Sequence, residues 1–181
     1  METLNQFNDA AAGWYKLVMR QPGWRERFTL TRRGLLVALG GYFGVVVLAI
    51  LIQGAIAGTA TFTGLLLSLL ANTMPLAGIV LALLVTVAFL RIKVPVIDML
   101  VPAVHALTFL LLGGFVLAIV GGILAPVLLA LLAYMIYRGG REILGLSVGF
   151  SLAYMALSIV LLVALPMSLY MLVAPGLPGP T

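Results

Sequence analysis

No cysteine occurs anywhere in the 181 residues. Disulfides, thiolate metal centres and cysteine nucleophiles are excluded together. Charge is scarce as well: 8% of the residues are Asp, Glu, Lys or Arg, where a soluble domain carries about 25%. A water-soluble fold of this length needs a charged exterior that so few residues cannot make. Histidine occurs once, so a His-rich metal site cannot be built. There is no H-E-x-x-H and no glycine before a Lys-Ser or Lys-Thr pair, which removes the zincin helix and the phosphate-binding loop. Only residues 1–33 form an extended polar segment, too small for a separate catalytic domain. The expectation is a protein that is not an enzyme and holds no cofactor and no metal. The net charge of +5 does not by itself argue for nucleic acid, because the basic residues flank apolar blocks.

What the chain does have is hydrophobicity, 64% of it, gathered in blocks. A membrane-crossing helix takes about 20 apolar residues. The first block runs over 34–57 and the second over 64–90, where Asn72-Thr73-Met74-Pro75 predicts a kink or a late start. From Val94 to Tyr137 the apolar stretch is 44 residues long. As one helix it would reach about 66 Å, twice the hydrocarbon thickness. Gly121-Gly122, with Pro126 behind, is the natural hairpin, giving spans over 94–120 and 123–137. Arg138-Gly139-Gly140-Arg141-Glu142 reads as a polar break, a fifth span follows over 143–173, and residues 174–181 form a Pro-rich tail. The fold class is therefore all-α: a polytopic membrane bundle of about five helices behind a polar leader.

Charge orients it. With five spans all ten Lys and Arg fall in residues 1–33, 91–93 and 138–142, on one side. The positive-inside rule makes that side cytoplasmic and sends the C-terminus to the far, periplasmic side. Ala55-Ile56-Ala57 mimics a signal cleavage site, but the polar region and the apolar run before it are both too long for one. The Leu, Ala and Gly bias suits a bacterial inner membrane. In the leader, Leu4, Phe7, Ala11, Trp14 and Val18 recur at spacings of three and four, predicting a short interfacial helix that Pro22-Gly23 ends. Trp14, Tyr15 and Trp24 suit headgroup depth, and anionic lipid headgroups are the expected partners of the basic leader.

Asp98 and His105 are candidate proton- or ion-path residues. They stand seven apart, on one helical face, and ionisable groups at membrane depth are functional hypotheses by default. The competing reading is structural: Asp98 pairs with Lys93, Arg91 or Arg141, and His105 bonds another helix. Gln53 and Asn72 are expected to serve packing, Asn72 by bonding carbonyls near Pro75. Gly145-Leu146-Ser147-Val148-Gly149 matches the G-x-S-x-G nucleophile elbow, but no strand precedes it. Gly145 and Gly149 read instead as a small-residue helix face, as do Gly40 with Gly44 and Gly54 with Gly58. Such faces suit a compact bundle, self-association or other membrane proteins as partners.

Residues 134–147, Tyr-Met-Ile-Tyr-Arg-Gly-Gly-Arg-Glu-Ile-Leu-Gly-Leu-Ser, resemble the short basic loop between the last two spans of the Yip-domain family, the "Ypt-interacting protein" type. That family's five-span plan with a cytoplasmic N-terminus is similar too. The Asp-Leu-Tyr-Gly-Pro motif of its eukaryotic members is missing, and Gly41-Tyr42 is followed by Phe43 where a Gly-Tyr-Gly-type motif would continue. The resemblance therefore implies an organisational bundle and carries over no GTPase partner and no site residue. The leading functional expectation is a non-enzymatic bundle that binds or organises other membrane components. The runner-up is a small proton-coupled transporter or channel using Asp98 and His105, and the remote third an intramembrane serine hydrolase using Ser147.

Overall fold

A computed structural model describes residues 2–57, 62–120 and 125–173. They form six α-helices: α1 (Glu2–Val18), α2 (Arg32–Ala57), α3 (Phe62–Leu90), α4 (Val96–Val120), α5 (Ala125–Glu142) and α6 (Val148–Val173). A single 3-10 turn, Arg25–Arg27, lies between α1 and α2. The chain is a polytopic membrane helical bundle, without a strand among the described residues. Four helices, α2, α3, α4 and α6, are long and apolar enough to cross a membrane. Their outer faces carry large apolar side chains such as Leu51, Leu84, Phe89, Val160 and Val163, which is the surface lipid requires and water penalises.

Helix ends follow local chemistry. Ser147 stands immediately before α6, and its Oγ accepts a hydrogen bond from the Phe150 N–H at 3.4 Å. That is the N-cap position, where a serine oxygen serves an otherwise unpaired amide. At the other end of α1, Arg20 takes a left-handed φ of 59°. The Gln21 N–H then reaches the Lys16 carbonyl at 2.8 Å and the Arg20 N–H the Leu17 carbonyl at 3.4 Å, the pair of bonds of a Schellman cap. Arg91 repeats the device after α3, with φ 52° and an Ile92 N–H to Val87 carbonyl bond of 3.1 Å.

Pro75 does not divide α3, which runs as one helix from Phe62 to Leu90. The turn before the proline is tied by side chains instead: Asn72 Nδ2 donates to the Ser68 carbonyl at 2.8 Å and Thr73 Oγ1 to the Leu69 carbonyl at 2.7 Å. The Asn72 carbonyl accepts the Tyr42 hydroxyl at 2.6 Å, joining α2 to α3. Gln53, by contrast, is exposed on α2 among the described residues.

The most extensive helix pairing is α3 with α6, followed by α2 with α4, while α5 lies between α4 and α6 and α1 touches α4 and α5. Gly78 permits the first of these. A Cβ there would stand 3.0 Å from the Leu161 carbonyl carbon and 3.1 Å from the Leu162 nitrogen, so two backbones meet with no side chain between them. The segment Arg138–Glu142 is no loop but the last turn of α5. Arg and Glu are good helix formers. Its glycines lie where a larger residue would collide: a Cβ on Gly139 would be 2.7 Å from Met99 Cε, and one on Gly140 would be 3.3 Å from Tyr154 Cδ1. The polar break moves on to residues 143–147, and α6 begins at Val148. The expected turns at 58–61 and at Gly121-Gly122 and the tail from 174 lie outside the described residues.

Candidate functional site

The helix α1 forms as its sequence pattern implies, but it docks on the bundle by a neighbouring face. Ala10, Gly13, Trp14 and Leu17 point inward, and Ala11 is exposed. It runs antiparallel to α4. The Phe7 ring meets the Phe109 ring edge-on at 4.8 Å, and nearly two turns from the α4 start Trp14 Nε1–H donates to the Pro102 carbonyl at 3.0 Å. Trp14 is thus a buried clasp and not a headgroup anchor. Phe28 closes the gap from the α1–α2 link. Its ring lies edge-on to Trp14, Trp24 and His105, at 6.2, 6.3 and 6.2 Å. A Cβ on Gly13 would stand 2.7 Å from that ring, so glycine is what lets Phe28 pass beneath α1.

Arg138 is the strongest polar feature of this junction. Its side chain is only 3% exposed. Both Nε and Nη2 donate to the Leu17 carbonyl, at 3.3 and 3.2 Å. A cation at the C-terminal end of α1 also answers the negative end of the helix dipole. Nη2 pairs in addition with Glu142, one turn on, at 3.0 Å. From sequence Arg138 reads as a topology-setting charge; nothing in its neighbours says that it turns inward to a carbonyl in the leader.

Asp98 is engaged by Arg25, from the 3-10 turn, and not by Lys93, Arg91 or Arg141. His105 Nδ1 lies 2.9 Å from the Val101 carbonyl of its own helix. A carbonyl can only accept, so Nδ1 is the protonated nitrogen. The two residues share a face of α4, as their spacing requires, yet each is committed to a different local partner. Ser147 caps α6 and is exposed, and no hydrogen bond joins it to Asp98 or His105 among the described residues.

The glycines singled out from sequence are placed differently. A Cβ on Gly40, Gly44 or Gly149 would meet nothing within 4 Å. Gly145 lies outside α6, in the turn before it, with φ +66°, a conformation that favours glycine. Gly54 is partly exposed on α2, and Gly58 is outside the described residues. Among the described residues the close approaches are at Gly13, Gly34, Gly78, Gly113, Gly139 and Gly140 instead.

Beside the junction, Leu17, Arg20, Trp24, Arg25, Glu26 and Glu142 border a cleft of about 430 Å³ on the basic end of the bundle. Its charges are mixed, and both Arg25 and Glu142 already have partners. Fold and site together define a helical membrane protein whose leader is clamped against two of its helices. No family model, curated protein or solved structure matches the chain.

Proposed function

We propose that this chain is a non-enzymatic integral membrane bundle that binds or organises other membrane components. The observation that carries the reading is the commitment of both ionisable groups of α4: Asp98 is closed off by Arg25 and His105 is turned onto Val101. A proton or ion path needs such groups to change partners, whereas Asp98 is held by the leader segment that clamps the fold and His105 by a carbonyl of its own helix.

The same reading takes α5 as a fifth crossing. Leu128 packs where a Cβ on Gly113 would sit, and Gly139 faces Met99, so α5 returns along α4 for most of its length. Five crossings leave every Lys and Arg on one side, which the positive-inside rule makes cytoplasmic, in a bacterial inner membrane. The resemblance to the Yip-domain plan supports the same count and supplies no partner.

The test is purified protein in sealed vesicles, carrying Asp98→Asn or His105→Gln, scored for proton and solute flux and for thermal stability. Neither variant is expected to alter a flux. Flux present in the parent and abolished in a stable variant would overturn the reading in favour of a transporter.

A further inference from the structure

The leader end of the bundle shows lipid-type and water-type surfaces at one height. On α3 and α6, Leu81, Leu84, Phe89, Phe150 and Leu152 are exposed, Phe89 by 81%. On the leader side the exposed groups include polar ones, Asn8, Arg20, Arg32 and the Asp9–Arg27 pair, whose side chains are 49% and 47% exposed at 3.0 Å separation, interleaved with Tyr15, Met19 and Leu36. The heights can be matched along α4. Trp14 is level with Pro102 and Phe7 with Phe109, which places Asp9 and its arginine between them. Residues Arg27, Gly34, Val101 and His105 also line one small cavity. By helical rise this pair lies about 10 Å further into the bundle than Asp98. Through the short α3–α4 connection, the same height on α3 is that of Leu81 and Leu84.

A flat leaflet cannot satisfy both sides. If its boundary lies at Phe89, half-exposed charges on the leader side sit in hydrocarbon, which costs several kcal/mol for each group. If it lies at the Asp9–Arg27 pair, a belt of leucine and phenylalanine on α3 and α6 faces water. The exposed side chains favour the first boundary on the far face, where Phe89 is 81% exposed and Leu84 and Leu81 continue the apolar surface below it.

We propose that the chain thins the leaflet on its leader side, drawing anionic phospholipid headgroups about 10 Å inward to the Asp9–Arg27 level, while the leaflet keeps full depth against α3 and α6. One leaflet contributes about 15 Å of hydrocarbon, so the step takes up most of it. The sign of the headgroups follows from charge: residues 1–33 carry six Lys and Arg against three Asp and Glu, and basic groups at a headgroup boundary attract anionic lipid. This deepens the proposed function by naming lipid as what is organised, and its test reads depth, independently of flux.

The absence of cysteine makes single spin labels straightforward. Labels at Asn8→Cys and Tyr15→Cys report the leader face, and labels at Leu84→Cys and Leu152→Cys the opposite face at matching height, all at exposed positions. The purified full chain is placed in bilayers of phosphatidylcholine and phosphatidylglycerol and probed with oxygen, which enriches in hydrocarbon, and with a water-soluble nickel chelate. The expected result is an inversion: nickel dominates on the leader face and oxygen on α3 and α6. Should a variant fail to fold, Met19→Cys and Val85→Cys replace it. Oxygen dominating on both faces, or nickel on both, overturns the step. So does spin–spin broadening of the leader labels, which would mean that a second copy covers that face.

Discussion

Replacing Gly78 by alanine tests the packing of the bundle where the backbones of α3 and α6 come close together. The new Cβ would press on the Leu161 carbonyl carbon at 3.0 Å and on the Leu161 oxygen and Leu162 nitrogen at 3.1 Å. These are backbone atoms of α6 and cannot rotate away, so α3 and α6 must part by a few tenths of an ångström along their main interface. Overpacking of this kind costs about 1–3 kcal/mol. Alanine recovers about 0.5–1 kcal/mol through its better helix propensity. The net expectation is a loss of about 1–2 kcal/mol. Gly44→Ala is the control, since its Cβ meets nothing within 4 Å and only the propensity gain remains. Reversible unfolding in mixed detergent micelles, followed by far-UV circular dichroism, measures both. Gly78→Ala proving as stable as the parent, or Gly44→Ala losing as much as Gly78→Ala, would refute the argument. Unchanged stability in Gly44→Ala with loss of a dimer would instead assign Gly44 to self-association.

Arg138→Met should release the leader by removing the bonds to the Leu17 carbonyl; a hydrogen bond from a charged donor contributes about 1.5–3 kcal/mol. Hydrogen exchange of residues 2–18 should accelerate in that variant while α3 and α6 stay protected, and unchanged exchange would count against the clamp. Glu142→Gln should matter less, under about 1 kcal/mol, because Glu142 itself reaches solvent and the amide oxygen can still accept from Arg138. Ser147→Ala should cost about 0.5–2 kcal/mol through loss of the α6 cap, with Ser147→Asp retaining it; thermal unfolding decides, and a silent alanine variant would remove the capping role. Asp98→Asn should lose less than about 1 kcal/mol, since Arg25 is largely exposed and the pair is screened, and high salt should shrink the difference between variant and parent.

Hydropathy and charge read the chain well where the membrane itself does the selecting. The apolar blocks became α2, α3, α4 and α6 because lipid demands length and apolarity residue by residue. Contacts between helices are a different matter. Leu4-Phe7-Ala11-Trp14-Val18 and Phe7-Ala10-Trp14-Leu17 are adjacent stripes on one helix, sharing Phe7 and Trp14. The choice between them is made by α4, which no periodicity in the leader describes. Asp98 has Lys93 and Arg91 nearby in sequence, yet Arg25 reaches it because the Trp14 and Phe28 contacts bring the 3-10 turn to that spot. Small residues four apart mark where helices could approach, but Gly40 and Gly44 face away while the isolated Gly78 faces α6. The break after α5 was displaced for a comparable reason: Gly139 and Gly140 look like a loop in sequence and act as clearance for Met99 and Tyr154.

The clasp between Leu17 and Arg138 joins residues 121 apart in the chain. Translation adds about 5–20 residues per second, so roughly 6–24 s separate the emergence of the first from that of the second. For most of that interval the first helix to be made has no groove to enter, since α4 begins only at Val96 and α5 only at Ala125. Its apolar stripe must wait in contact with something, and the headgroup layer beside the newly inserted α2 is the surface at hand. The clamp on the leader therefore closes only after α5 has been made, so the first helix synthesised is among the late ones to settle into place.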